Sequence, residues 1–187
     1  MQLAGSAARG ELRAATELVD RFYQPVYAFL RRLTGGESDA ADLTQKTFTR
    51  VWSALPRFAG RSTLSSWLHG IACHVWQDWR RANHRLEPRS DAWWAELPDH
   101  RTGPDVAVAA ADLAATVYAA VDQLEPGARQ AVHLHYYQGL TLEETSEALG
   151  VPTSTLKYRL RTAVQELRSR VTEKPRAAQT SNLVQRP

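Results

Sequence analysis

Apolar residues recur at helical spacing along two blocks of the chain, and this spacing limits the possible fold more than any other feature of the sequence. The blocks run from Leu12 to Trp79 and from Leu113 to about Val171, and neither shows the alternation typical of strands. Between them, the stretch "LEPRSDAWWAELPDHRTGPD" has no sustained period, as is typical of a linker. We therefore predict an all-α protein in which two small helical domains, residues 1–84 and 113–172, are joined by a flexible linker over 85–112 and followed by a disordered tail over 173–187.

Turn and capping residues subdivide the first block. Pro25 is predicted to separate two helices, and the glycine pair ten residues later to end the second of them. Ser38 and Asp39 are predicted to cap the next helix. After the basic loop "RFAGRST", a long amphipathic helix is predicted from Leu64 to Trp79.

The second block contains the segment "GVPTSTLKYRLRTA", which has a turn followed by a basic helix. Thr141 and Glu144 match a capping box, so a short helix is predicted to begin there and to stop at Gly150. A second helix is predicted to follow, with Thr153 as its N-cap. A short helix, a turn of about four residues and a helix with a basic outer face form a helix-turn-helix, whose second helix enters the major groove of DNA.

The outer face of this second helix carries groups that suit base edges and phosphates. Arginine pairs with guanine through two hydrogen bonds, and hydroxyl groups accept either base type. Small residues at the start of the helix allow a close approach to the DNA, and lysine and arginine at its sides reach phosphates. The predicted DNA-binding residues of this helix are Ser154, Thr155, Lys157, Tyr158, Arg159, Arg161 and Thr162.

Composition sets outer limits on the function. A formal net charge of +3 is only weakly basic, so the clustering of charge has to support any claim about nucleic acid. The single cysteine, Cys73, excludes an internal disulfide and argues against a cysteine-only metal site. No apolar run has the length of a signal peptide core or a membrane span. We expect a cytoplasmic protein with no membrane insertion, cofactor or metal.

Read together, the two blocks resemble the ECF (extracytoplasmic function) group of bacterial sigma factors, the promoter-specificity subunits of RNA polymerase. The stretch "DAADLTQKTFTRVW" is similar to the polymerase-binding helix of sigma region 2, and "RFAGRSTLSSWLHGIACHVWQDWRR" to its promoter-melting segment. The stretch from Leu124 to Arg168 is similar to region 4. The resemblance covers about Glu11 to Arg170 with the motifs in the family's order.

The resemblance implies a function and a set of partners. Region 2 would bind core RNA polymerase through Asp42, Gln45, Phe48 and Trp52, and would open the minus-ten element of promoter DNA. The residues predicted to hold the opened strand are Arg57, Phe58, Arg61, Thr63, Arg80 and Arg81, with Trp76 as an additional stacking surface. Region 4 would read the minus-thirty-five duplex through its helix-turn-helix. An anti-sigma factor is the expected regulatory partner.

Several positions depart from the family's pattern. Lys46 and Arg61 stand where acidic residues are usual, and the effect of either change is left open. Thr145 and Ser146 replace the usual apolar pair before the turn, which is predicted to weaken the buried side of that helix. His74 stands where asparagine is frequent.

Two other functions are compatible with parts of the sequence. A metal-dependent enzyme would use His74 and Asp78, which lie at i,i+4 spacing beside His69, although no third ligand stands at motif spacing. The nearer alternative is a helix-turn-helix regulator that binds its operator without polymerase. The adjacent Trp93 and Trp94 are expected to dock back onto a domain, and His133 and His135 to face solvent.

Overall fold

The computed structural model describes residues 2–83 and 114–180, with side chains described up to Val171 in the second range. Within these ranges all regular structure is helical, which confirms the all-α prediction with two helical domains. The predicted linker, with Trp93 and Trp94, lies outside the described residues. The elements are α1 (Gln2–Ala8), α2 (Leu12–Thr34), α3 (Glu37–Ala54), a 3₁₀ turn (Leu55–Arg57), α4 (Leu64–Ala82), α5 (114–122), α6 (Pro126–Val132), a π-helical turn (His133–Tyr137), α7 (Leu142–Leu149) and α8 (Thr153–Thr180).

Helix α2 runs through Pro25, so the prediction of two helices meeting at this proline is wrong. Proline inside a helix costs about 3 kcal/mol because it removes a hydrogen bond and crowds the preceding turn. Burial of one continuous apolar stripe offsets this cost, since each fully buried large side chain contributes about 1.5–3 kcal/mol. The buried stripe is Leu18, Phe22, Val26, Phe29, Leu30 and Leu33.

Helix α3 begins earlier than the sequence predicts, with Gly36 rather than Ser38 or Asp39 at its N-cap. Gly35 has a φ of 70° and donates its N–H to the carbonyl of Arg31, which ends α2 in a left-handed turn. The chain therefore enters α3 immediately after Gly36. Ser38 is already inside the first turn, where it cannot act as the cap.

The first domain is built around helices α2, α3 and α4, with α1 against α2. Its core includes Phe29, Leu43, Leu68 and Trp76, each at most 2% exposed. Three tryptophans, Trp52, Trp67 and Trp79, lie at the edge of this core as half-buried side chains. None of the helices in residues 2–83 and 114–180 has the combined length and apolar character needed to cross a bilayer.

The second domain has a smaller core between α5, α6 and α8, with Leu156 fully buried at its centre. Thr141 and Glu144 form both hydrogen bonds of a capping box, which confirms the predicted start of α7. Gly150 ends α7 in the left-handed conformation, at a φ of 63°, so α7, the turn and α8 form the predicted helix-turn-helix.

Thr153 and Ser146, at the turn of this motif, have roles other than those predicted from the sequence. Thr153 is the first residue of α8 rather than its cap, and its hydroxyl donates to Ser146 Oγ at 3.3 Å. The Ser146 hydroxyl in turn donates to the carbonyl of Val151 at 2.5 Å. Ser146, which replaces the family's usual apolar residue before the turn, therefore links α7 to the turn and to α8 through hydrogen bonds.

Two further expectations for this domain are wrong. His133 is 1% exposed rather than solvent-facing, because it lies in the π-helical turn whose neighbours pack inward, and its ring is 5.2 Å from that of Tyr137. His135 is half-buried and its Nδ1 contacts the carbonyl of Leu140 at 2.8 Å.

Helix α8 continues to Thr180 instead of ending near Val171, so it includes the first part of the predicted tail.

The two domains pack directly against each other along α4 and α7. Leu134, Leu140 and Ala148 of the second domain are buried in the core of the first. The Ser66 hydroxyl donates to the carbonyl of Glu144 at 2.6 Å, which adds a polar contact to the apolar ones. The described residues thus form two cores that share a contact region.

Candidate DNA-binding and polymerase-binding surfaces

Helix α8 separates its apolar and polar side chains onto opposite sides. Leu156, Leu160 and Ala163 are buried in the smaller core, at 0%, 6% and 1% exposure. Because this side is held inward, the opposite side faces outward along the helix. The exposed residues there include most of those predicted to read DNA: Ser154, Lys157, Tyr158, Arg161 and Thr162.

Arg159 and Thr155 lie at the border of this face and are half-buried. The guanidinium of Arg159 lies against Gly127 in α6, where a Cβ would be only 3.0 Å from Nη1. Glycine at this position therefore makes room for the arginine. The structure thus places Arg159 beside α6 and apart from the outward-facing group that contains Arg161.

In the first domain, some side chains of the loop between α3 and α4 are exposed, while others pack against a ring or form hydrogen bonds. Arg57 and Arg61 are exposed. Phe58 is half-buried, and its ring centroid lies 4.9 Å from that of Trp67. Thr63 is the N-cap of α4: its Oγ1 accepts from the N–H of Ser66 at 3.1 Å and donates to Glu144 Oε1 at 3.0 Å.

The end of α4 carries exposed arginines beside a shared carboxylate. Asp78 accepts hydrogen bonds from Arg50 at 2.9 Å and from Arg81 at 2.6 Å. The hydrogen bonds from Arg50 and Arg81 hold the pKa of Asp78 below its usual value. Arg50, on α3, was missed by the sequence analysis because its contact with Asp78 joins two helices and leaves no pattern along the chain.

One prediction for α4 is wrong, and one alternative that the sequence left open finds no support. Trp76 is 2% exposed and cannot serve as a stacking surface, and the guanidinium of Arg80 lies 5.7 Å from its ring. The pair His74 and Asp78 does not form the start of a metal site, because Asp78 binds arginines and His74 Nδ1 contacts the carbonyl of Gly70 at 2.8 Å. The neighbouring His69 is buried, and this burial lowers its pKa.

The residues predicted to bind polymerase do lie together. Asp42, Gln45, Phe48 and Trp52 line one open groove between α2 and α3. Tyr23 of α2 lies opposite, with its ring centroid 5.8 Å from that of Phe48, and is 38% exposed. The sequence analysis missed Tyr23, because its contact with α3 forms only in the folded domain.

Lys46 forms an ion pair with Asp42 at 2.5 Å on the same side of α3 as the groove. Both side chains remain about half exposed, at 57% and 52%. The departure from the family's acidic residue at position 46 therefore changes the charge beside the groove by partly neutralising Asp42. Cys73 is 1% exposed and takes no part in these surfaces, and its burial raises the pKa of the thiol far above its usual value.

These surfaces define a two-domain protein. Its second domain has a helix-turn-helix, and its first has a groove lined by both apolar and polar side chains. Residues 18–86 match the family described as Sigma-70 region 2, and residues 114–167 match Sigma-70, region 4. The chain is 31% identical over 144 residues to the ECF RNA polymerase sigma factor SigX of Bacillus subtilis, covering 75% of this chain and 74% of SigX. The chain belongs to the ECF group of RNA polymerase sigma factors.

Other relatives agree with this assignment. The chain is 33% identical over 158 residues to the ECF RNA polymerase sigma factor SigC of Mycobacterium tuberculosis, covering 84% of this chain and 83% of SigC. It is 34% identical over 154 residues to SigE of Mycolicibacterium smegmatis, covering 81% of this chain but only 59% of SigE. The sigma factor RpoE of Bartonella quintana, solved in complex with the anti-sigma factor NepR, shares the fold, with a TM-score of 0.68 at 20% identity over 86% of this chain and 98% of that one. CnrH, solved in complex with the cytosolic domain of CnrY, has a TM-score of 0.66 at 24% identity over 89% and 93%.

Proposed function

We propose that this chain binds core RNA polymerase through the α2–α3 groove and directs it to promoters through two separate DNA-contacting surfaces. The observation that supports this most strongly is that one chain combines a half-apolar groove with basic groups in both domains. A helix-turn-helix that acted alone would need neither the groove nor the basic loop. Sigma factors use both, because they join polymerase to DNA.

The groove has the composition of a protein interface. The half-buried Trp52 offers apolar anchor surface, Phe48 lines the groove but is only 8% exposed, and Asp42 and Gln45 provide a polar rim. Aromatic side chains in such positions contribute most of the binding free energy, while rim charges mainly set specificity and association rate. We propose that these four residues, together with Tyr23, contact core polymerase.

The minus-ten surface would combine the loop before α4 with the end of α4. Arg57, Arg61, Arg80 and Arg81 are exposed and suit the backbone of an opened strand. One side of Phe58 lies against Trp67, so a base would have to stack on its other side. Thr63 would supply a hydroxyl for a base edge once it no longer donates to Glu144.

The minus-thirty-five surface would be the outward side of α8. Arg161 and Lys157 supply positive charge, and Tyr158, at 67% exposure, offers an aromatic face to the groove of DNA. Ser154 at the start of the helix allows a close approach. Arg159, beside α6, suits a phosphate rather than a base edge.

Run-off transcription tests the proposal directly. Purified core polymerase and sheared genomic DNA are incubated with and without this protein, and new transcript starts are sequenced. We expect discrete starts that share two upstream elements and depend on the protein. Tight binding to an operator without core polymerase, and no new starts, would instead indicate a regulator.

An anti-sigma factor is the proposed regulatory partner, and the cytoplasm the proposed place of action, where polymerase and DNA are. The structure of RpoE with the anti-sigma factor NepR shows a related fold bound to such a partner, and CnrH was solved in complex with the cytosolic domain of CnrY. Affinity purification of the tagged chain from its host, followed by mass spectrometry, would identify a partner of this kind.

A further inference from the structure

A cleft of about 390 Å³ is lined by the end of α4, the start of α6 and one side of α8. Its volume lies within the range of about 300–1,000 Å³ that small-molecule sites occupy. Two helices contribute arginines to it: Arg80 and Arg81 come from α4, and Arg159 comes from α8. The cleft is therefore a concave site in which positive charge is concentrated.

Most of this charge has no carboxylate partner. Arg81 pairs with Asp78 at 2.6 Å. Glu125 also lines the cleft, but its carboxylate is the N-cap of α6 and accepts two backbone N–H groups there, at 3.0 and 3.2 Å. Neither Arg80 nor Arg159 forms an ion pair with a carboxylate of the described residues. The net positive charge of the cleft suits an anionic ligand.

The cleft also contains two buried hydrogen-bond donors without an acceptor. Trp76 and Gln130 line it and are only 2% and 3% exposed. The indole Nε1 of the first and the amide Nε2 of the second have no hydrogen-bond partner in the part of the chain that the structure describes. A buried donor is costly to leave unpaired. Because both nitrogens donate and do not accept, the group that would satisfy them is an acceptor such as an oxyanion.

The guanidinium groups of Arg80 and Arg159 are positioned by their surroundings. That of Arg80 lies 5.7 Å from the ring of Trp76, within the range of a cation–π contact. That of Arg159 lies against Gly127, where a Cβ would be 3.0 Å from Nη1. Arginine binds phosphate through two parallel hydrogen bonds, and side chains that are already positioned lose less entropy on binding. The cleft therefore suits phosphate groups in particular.

We infer that this cleft binds a small anion with more than one phosphate group, such as inorganic pyrophosphate or the polyphosphate part of a nucleotide. Arginines on two helices supply charge for more than one phosphate group. The backbone of a DNA duplex would touch the exposed ends of Arg80 and Arg81, whereas only a small anion would enter the cleft beside Trp76 and Gln130. The inference is independent of the proposed function, although the same arginines belong to the proposed DNA contacts.

Isothermal titration calorimetry of the full chain with inorganic pyrophosphate, in the absence of DNA, tests the site. We expect saturable binding of one anion per chain. Replacing Arg80 and Arg159 together by alanine should weaken this binding at least tenfold. The matched control replaces Arg13 and Arg21, two exposed arginines of α2 that lie outside the cleft, and should bind like the wild type.

Two further variants test the shape of the site without changing its charge. Gly127→Ala should displace the guanidinium of Arg159, and Gln130→Leu removes a buried donor at similar volume. Each should weaken pyrophosphate binding several-fold while the circular dichroism spectrum stays that of the wild type. Gly5→Ala is the control, since a Cβ there makes only ordinary contact, 3.6 Å from Nη1 of Arg9. If the Gln130 variant does not fold, the Gly127 variant still decides the question.

Three outcomes would overturn the site. The first is that pyrophosphate does not bind, even if a duplex without promoter elements does, which would leave the arginines as contacts for DNA phosphates alone. The second is equal weakening by the cleft pair and by the control pair of arginines, which would indicate attraction by total charge. The third is unchanged affinity in both the Gly127 and the Gln130 variants, which would show that no built site holds the anion.

Discussion

The proposed DNA-reading side of α8 and the proposed binding surfaces of the first domain are built in opposite ways. On α8, Lys157, Tyr158 and Arg161 belong to one helix and are oriented by the burial of Leu156 and Leu160 beneath them. In the first domain, the proposed DNA contacts come from a loop and from a helix end. A surface carried by one helix depends on the core under that helix, whereas a surface assembled from several elements depends on many separate contacts.

Those separate contacts are visible in the first domain. Phe58 lies against Trp67, and Thr63 donates to Glu144 of the other domain. Arg81 shares Asp78 with Arg50. Single substitutions in this region should therefore each have limited effects, while one core substitution under α8 should disrupt its whole reading side.

Leu156→Ala is the strongest test of this difference. Removing a fully buried leucine side chain from a small core destabilises it by about 2–5 kcal/mol, so the second domain should unfold at a much lower temperature. Calorimetry and minus-thirty-five duplex binding measure the two consequences. Gln165→Ala, exposed on the same helix, is the control. Normal duplex binding by the Leu156 variant would show that the reading side does not depend on this core.

Trp52→Ala tests the groove between α2 and α3. Truncating an aromatic anchor at an interface costs about 2 kcal/mol or more, so affinity for core polymerase should fall by at least about 30-fold. Fluorescence anisotropy with labelled protein measures it, and Ser53→Ala, the exposed neighbour, is the matched control. Equal affinities for the two variants would remove Trp52 from the proposed binding site.

Arg161→Ala should weaken recognition of the minus-thirty-five duplex by about 1–3 kcal/mol and relax the preference at one base position. Selection from a randomised duplex library, followed by sequencing, measures both effects. A loss of affinity that is equal for all sequences would assign Arg161 to a phosphate instead.

The smallest expected effect concerns Glu144 and pH. Its hydrogen bond from the Thr141 N–H is the main cause of its lowered pKa, with a smaller contribution from Thr63. Because the folded-state pKa lies below the unfolded value, the stabilisation is complete above the ordinary value of 4.5 and is lost as the pH falls through the lowered pKa. Unfolding curves of the wild type and Glu144→Gln should therefore converge in acid. Glu147→Gln, exposed on the same helix, is the matched control.

Much of the fold was predictable because helical spacing of apolar residues is a local property. The helix-turn-helix, the capping box at Thr141 and the inner and outer sides of α8 all follow from residues a few positions apart. The four groove residues, which the family resemblance implied, all lie on one helix, α3. Tyr23 was missed because it belongs to a different helix that meets α3 only in the folded domain.

The errors at Pro25 and Trp76 have the same origin. Local rules end a helix at proline, but the stripe that crosses Pro25 is buried along its whole length, and that burial favours one continuous helix. Trp76 lies on the apolar side of α4. The packing of α4 against the other helices leaves it 2% exposed, the lowest exposure of any tryptophan in the described residues.

The sequence by itself determined two all-helical blocks, the helix-turn-helix and the family to which the chain belongs, because each of these is recorded in the order and spacing of nearby residues. Only the tertiary structure decided which polar groups have partners in the described residues. Asp78 with Arg50, Thr63 with Glu144 and Arg32 with Tyr137 are all pairs from distant parts of the chain. Such pairs form where helix surfaces meet, and their separation along the chain leaves no periodic signal that reading the sequence could detect.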